Sequence, residues 1–104
     1  MARVAVLCPD LLFGSNVEGA LRAAGHEVIR GDAQGVDVVV VDLTAGDLDI
    51  EAIGGRTDAR TIGFYPHVQV EVRARAEAAG IDMVVPRSRM NREGAALVTQ
   101  VMDR

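Results

Sequence analysis

The stretch Val36-Asp37-Val38-Val39-Val40-Val41-Asp42-Leu43 (VDVVVVDL, residues 36–43) decides the fold. Four consecutive β-branched residues are stiff at χ1 and favour the extended chain. They also leave no polar face: an uninterrupted apolar strand is covered on both sides, as in the centre of a parallel sheet with helices above and below. Asp42 then stands at the carboxyl end of that strand, the end at which open α/β sheets place their sites.

Working towards the N-terminus, residues 3–8 (RVAVLC) form a second buried strand stopped by Pro9, and HEVIR (26–30) forms a weaker one. The helix between them has two readings of its start. Ser15-Asn16-Val17-Glu18 has the capping-box form, whereas Asp10 could cap a longer helix that includes Leu11, Leu12 and Phe13. Gly25 is placed to end it in the left-handed conformation. Towards the C-terminus, Asp47 to Ile53 makes at most two helical turns, with Asp47 as cap and Gly54-Gly55 as stop. Thr61 to Tyr65 is the next strand, ended by Pro66. Val68 to Ala79 begins with strand-like alternation (VQVEV), but its alanine-rich end before Gly80 favours helix. Ile81 to Val85 is the fifth strand, and Asn91 to Met102 an amphipathic closing helix.

This βαβ alternation predicts a parallel sheet with right-handed crossovers. One connection is too short. Only Gly31 to Gly35 separate the second strand from the third, and five to seven extended residues reach roughly 17 to 24 Å, enough to return across the sheet without a helix. The second helix is therefore expected to be missing.

The chain has 104 residues and a mass of 11.0 kDa, which predicts one domain over residues 1–104. All eleven basic residues are arginine, so lysine chemistry is excluded. Apolar residues make up 49% and aromatic ones 3%, so the interior is aliphatic and finely divided. A net charge of −4 argues against a nucleic-acid partner, because phosphate neutralisation needs a basic face. The single cysteine predicts a reducing, cytoplasmic home. The longest apolar run is too short for a bilayer and no signal-peptide core precedes Pro9, so no membrane partner is expected.

The residues that follow the strands are Cys8-Pro9-Asp10, Asp42-Leu43-Thr44, Tyr65-Pro66-His67 and Pro86-Arg87-Ser88-Arg89. Together with DLLFGS (10–15), VVVVDL (38–43), GFYPHV (63–68) and AAGIDMVVPRS (78–88), they make the chain resemble the receiver domain of two-component response regulators. The resemblance implies a flavodoxin-like three-layer fold with strand order 2-1-3-4-5. A working receiver uses an acidic pair after the first strand to hold Mg²⁺, an aspartate ending the third as phosphoacceptor, a Ser or Thr ending the fourth and a lysine ending the fifth. Each part offsets charge between a carboxylate and a phosphoryl group.

Carried over by position, Asp42 matches the phosphoacceptor, and the other parts are degraded. Cys8 and Pro9 occupy the acidic pair, and only Asp10, after a one-residue slip, supplies a carboxylate, leaving Asp10 and Asp42 as weak Mg²⁺ candidates. Tyr65 falls where the Ser or Thr belongs. Arg87, or Pro86 with one deletion, falls at the lysine, and arginine is not an equivalent cation. Each residue also has a structural reading: Asp42 meeting backbone N–H groups or an arginine, His67 as a loop or helix-start residue, Ser88 as the last helix's N-cap unless Arg87, Ser88 and Arg89 grip an anion there.

Cys8 also permits a phosphocarrier of the sugar phosphotransferase IIB kind, with Gly14-Ser15 at the helix start supplying N–H donors. Proline and aspartate after Cys8 oppose it, and a buried inert thiol is the alternative. The expectation is a pseudo-receiver, with a live phosphoacceptor receiver using Asp42 as the alternative: a signalling module, not an enzyme, that needs no cofactor and binds protein, a histidine kinase among the candidates. The missing helix would open one sheet face beside Val38 and Val40 or Val39 and Val41, predicting a homodimer or a partner over it.

Overall fold

The computed structural model of the chain describes residues 2–31, 34–46, 48–66 and 70–103. The elements run β1 (Arg3–Leu7), α1 (Leu11–Ala23), β2 (Glu27–Arg30), β3 (Val38–Asp42), α2 (Ile50–Gly54), β4 (Arg60–Tyr65), α3 (Val70–Ala79), β5 (Met83–Pro86) and α4 (Arg87–Met102). All strand pairs are parallel, in the order β2-β1-β3-β4-β5. The connection from β2 to β3 carries no helix among the described residues, as its length requires.

Alternation along the strands sends successive side chains to opposite faces. Val4, Val6, Val38, Val40, Ile62, Phe64, Met83 and Val85 meet Val17 and Leu21 of α1 and Met90, Leu97, Val98 and Val101 of α4. On the other face Val41, Leu43, Tyr65 and Ile81 meet Ile50 of α2 and Ala76 of α3. A third, smaller cluster joins Ala5 and Val39 to Val36. Here the valine expectation needs correction: Val38, Val39, Val40 and Val41 are all 0% exposed and offer no contact surface. The helix-less connection covers its own strands, because Val36 folds back onto Ala5 and Val39. What stays open is the top of that face, a cavity of about 470 Å³ lined by Leu7, Cys8, Pro9, Leu48, Ala52 and Ile53, among others.

The helix boundaries follow the capping chemistry, with three corrections. α1 starts at Leu11, and Asp10 caps it by accepting from Phe13 N, so the longer reading holds. Ser15 lies inside the helix, and Glu18 does not close a capping box. It is buried and takes the guanidinium of Arg30 at 3.1 Å. α2 is capped by Asp49, which accepts from Ala52 N, because the helix begins later than expected; Asp47 lies outside the described residues. α4 begins at Arg87, four residues before the expected Asn91, with a non-helical break at Glu93. β5 likewise sits later than expected, at Met83–Pro86. Val68 lies outside the described residues.

Gly25 ends the first helical segment at φ 93°. Gly80 has φ +99°, and a Cβ there would lie 2.7 Å from the Gly54 carbonyl oxygen. Two glycines thus let the carboxyl ends of α2 and α3 touch backbone to backbone, which brings both helices onto one sheet face. No helix among the described residues is long and apolar enough to cross a membrane.

Candidate functional site

The carboxyl ends of β1, β3, β4 and β5 gather Cys8, Asp10, Asp42, Tyr65 and Arg87 along one edge. Asp42 is buried at the end of its all-valine strand, opposite Phe64 of β4. Its Oδ1 accepts from Thr44 N at 3.0 Å and from Thr44 Oγ1 at 2.7 Å. This is a closed local turn, in which an aspartate uses the backbone two residues on. Thr44 is the partner that position in sequence did not assign; a hydroxyl two residues after an acid is the signal that could have found it.

Asp10 is held from two sides. One oxygen accepts from Phe13 N at 3.0 Å, and the other accepts from the Arg87 guanidinium at 2.6 Å. The Phe13 N–H, and after it Arg87, pull the Asp10 carboxyl below the usual range. Arg87 also stands 4.3 Å over the Phe13 ring, and that ring lies 5.0 Å from the ring of Phe64. Cation, carboxylate and aromatic face thus form one cluster at the mouth of the sheet. Phe13 was not among the expected site residues. The chain spends only two phenylalanines, and both stand here.

Tyr65 is buried among Val41, Leu43 and Ala76, and its hydroxyl is the first cause of a raised Arg73 guanidinium pKa, ahead of Glu77. It lies opposite Pro86 in the β4–β5 register. Arg87 comes one residue later, as the first residue of α4. Ser88 lies within that helix, exposed, so it is not the N-cap: Pro86 holds that position and makes no side-chain bond. Arg89 pairs with Glu93, one turn along the helix, and His67 lies outside the described residues.

Cys8 is half-buried, and its sulfur donates to the Asp10 carbonyl at 3.6 Å. Burial pushes its thiol pKa up, and the nearby Asp42 carboxylate adds to this. The anion loop expected after it is absent. Gly14 sits inside α1, its N–H bonded to the Asp10 carbonyl at 2.8 Å, so it is not free to meet a phosphate.

Tested as a Mg²⁺ site, this edge does not fit. Magnesium wants several oxygen ligands in near-octahedral array. Asp10 has both oxygens engaged, Asp42 has one engaged twice, and the positions of the acidic pair carry a thiol and a proline. Among the described residues no group of three His, Cys, Asp or Glu side chains is placed to hold a metal ion.

With that geometry established, solved structures give the fold its place. A response regulator from Thermotoga maritima superposes with TM-score 0.81 over 98% of each chain at 17% identity. The receiver domain of the putative response regulator NarL from Mycobacterium tuberculosis gives 0.82, over 98% of this chain and 96% of that one at 18% identity. A CheY-like receiver domain protein from Methanospirillum hungatei gives 0.85, over 99% and 94% at 14% identity. The fold is that of a receiver domain. No family model matches the chain, and no curated protein matches it. The receiver fold accounts for the strand order.

Proposed function

We propose that this chain is a pseudo-receiver: a receiver fold used for protein–protein recognition in signalling, with no phosphoryl transfer of its own and no cofactor. The observation that carries the reading is the engagement of the Asp10 and Asp42 carboxylates, both oxygens of the first and one of the second. Asp10 serves α1 and Arg87, and Asp42 serves Thr44. A phosphoacceptor needs a carboxylate oxygen facing a metal and a cation free to meet the transferred charge. Here Arg87, the cation nearest in role to the receiver lysine, already holds a carboxylate and covers an aromatic ring. The raised thiol pKa of Cys8 opposes a phosphocysteine carrier in the same way, since the thiolate is the nucleophile.

The partner in this reading is a protein, with a second copy of the chain or a histidine kinase as the candidates, in a reducing cytoplasm. The open cavity beside α2 supports a covered face, since its lining is mostly apolar and it lies where the β2–β3 connection carries no helix among its described residues. Incubation with acetyl phosphate and Mg²⁺, followed by intact-mass measurement of wild type, Asp42→Asn and Cys8→Ser, tests it. The expected wild-type mass is unchanged. Gain of one phosphoryl group that Asp42→Asn abolishes would restore a live receiver, and loss in Cys8→Ser would favour the carrier.

A further inference from the structure

We propose that Arg87 is a resident cation that serves Asp10 in place of a divalent metal, and that Asp10, Phe13 and Arg87 form a latch holding the carboxyl edge in one state. The proposal rests on the pseudo-receiver reading and names how its edge is regulated: by a permanent internal charge, not by an added one.

Three observations carry it. Asp10 and Arg87 are 77 residues apart, one at the start of α1 and the other at the start of α4, so their 2.6 Å bond ties together the two helices that pack on the same sheet face. Both Asp10 oxygens are committed, to Phe13 N and to Arg87. A metal at Oδ2 would have to displace the ion pair, and a bidentate one the helix cap as well. Finally, the guanidinium rests 4.3 Å above Phe13, whose ring meets Phe64 at 5.0 Å; Phe64 is the register partner of Asp42. The latch therefore reaches from the surface pair to buried Phe64 of β4, the strand paired with the one that carries Asp42. A planar guanidinium serves both contacts at once, one edge bonding and one face stacking, which a lysine ammonium does not.

Thermal unfolding of the full chain and a MgCl2 titration followed by amide NMR test this, using wild type, Asp10→Asn, Arg87→Met, Arg87→Lys and the double variant Asp10→Asn with Arg87→Met. Asparagine keeps the cap and loses the charge, so Asp10→Asn separates the two roles of Asp10. Asp10→Asn and Arg87→Met are each expected to lower Tm by about 3–6 °C, with Arg87→Lys recovering less than half of the Arg87→Met loss, and the double variant to fall no further than the larger of the two. The wild-type amides of Asp10, Phe13, Asp42 and Thr44 are expected to show no saturable Mg²⁺ shift. Additive losses in the double variant would overturn the latch, as would a Lys variant equal to wild type. A saturable Mg²⁺ shift in wild type would overturn the resident cation. Phosphorylation of Asp42 would instead sink the pseudo-receiver reading, whatever the variants show.

Discussion

Asp10 divides its two oxygens between two tasks, capping α1 through Phe13 N and pairing with Arg87. Its pKa is lowered in the folded chain, first by that N–H and then by Arg87. A depressed carboxyl contributes stability that is fully present above its unfolded value of about 3.9 and is lost as pH falls through the lower folded value. The Tm difference between wild type and Asp10→Asn is therefore expected to be constant from neutral pH down to about pH 4 and to shrink below it, as a set of melts across pH would record. A difference that grew on acidification would contradict the assignment. At this scale the site was half legible. Asp42, Cys8 and Arg87 follow from strand ends and spacing. The contacts that decide what they do, Thr44 on Asp42 and Phe13 under Arg87, depend on side-chain directions that spacing does not carry.

Among the elements, the close crossing of α2 and α3 has the sharpest steric requirement. Gly80 is at φ +99°, and an added Cβ would meet the Gly54 carbonyl. Gly80→Ala is expected to cost about 1–3 kcal/mol in urea unfolding, and a neutral result would mean that the two helices part easily. Most elements were readable because composition and period agreed: VVVV for β3, the short Gly31–Gly35 passage for the absent helix, Gly25 and Gly80 for the turns. The errors concentrated at helix starts. Asp10, Ser15, Asp47, Asp49 and Ser88 are all competent caps, and which one is used depends on where the preceding strand releases the chain. Asp10 takes the role because β1 ends at Leu7 and leaves it within one turn of the sheet edge, while α4 starts directly from β5 and uses no side-chain cap.

For the whole molecule, a β2–β3 connection that carries no helix among its described residues and the engaged Asp10 and Asp42 carboxylates are the two features on which the pseudo-receiver proposal rests. The β2–β3 connection buries Val36 over Ala5 and Val39, yet leaves the apolar cavity bounded by Leu7, Leu48 and Ile53. Light scattering coupled to size exclusion is expected to give twice the 11.0 kDa chain mass at high concentration, with Ala52→Glu, an exposed wall position, returning the monomer. A wild-type monomer at every concentration would leave a different protein as the partner on that face. Whether the carboxyl edge accepts a phosphoryl group is decided by fluorine NMR with beryllofluoride and Mg²⁺, since trifluoroberyllate on an aspartate mimics the acyl phosphate. Only free fluoride species are expected in the presence of wild-type protein. A bound resonance that saturates with Mg²⁺ and disappears in Asp42→Asn would contradict the pseudo-receiver proposal.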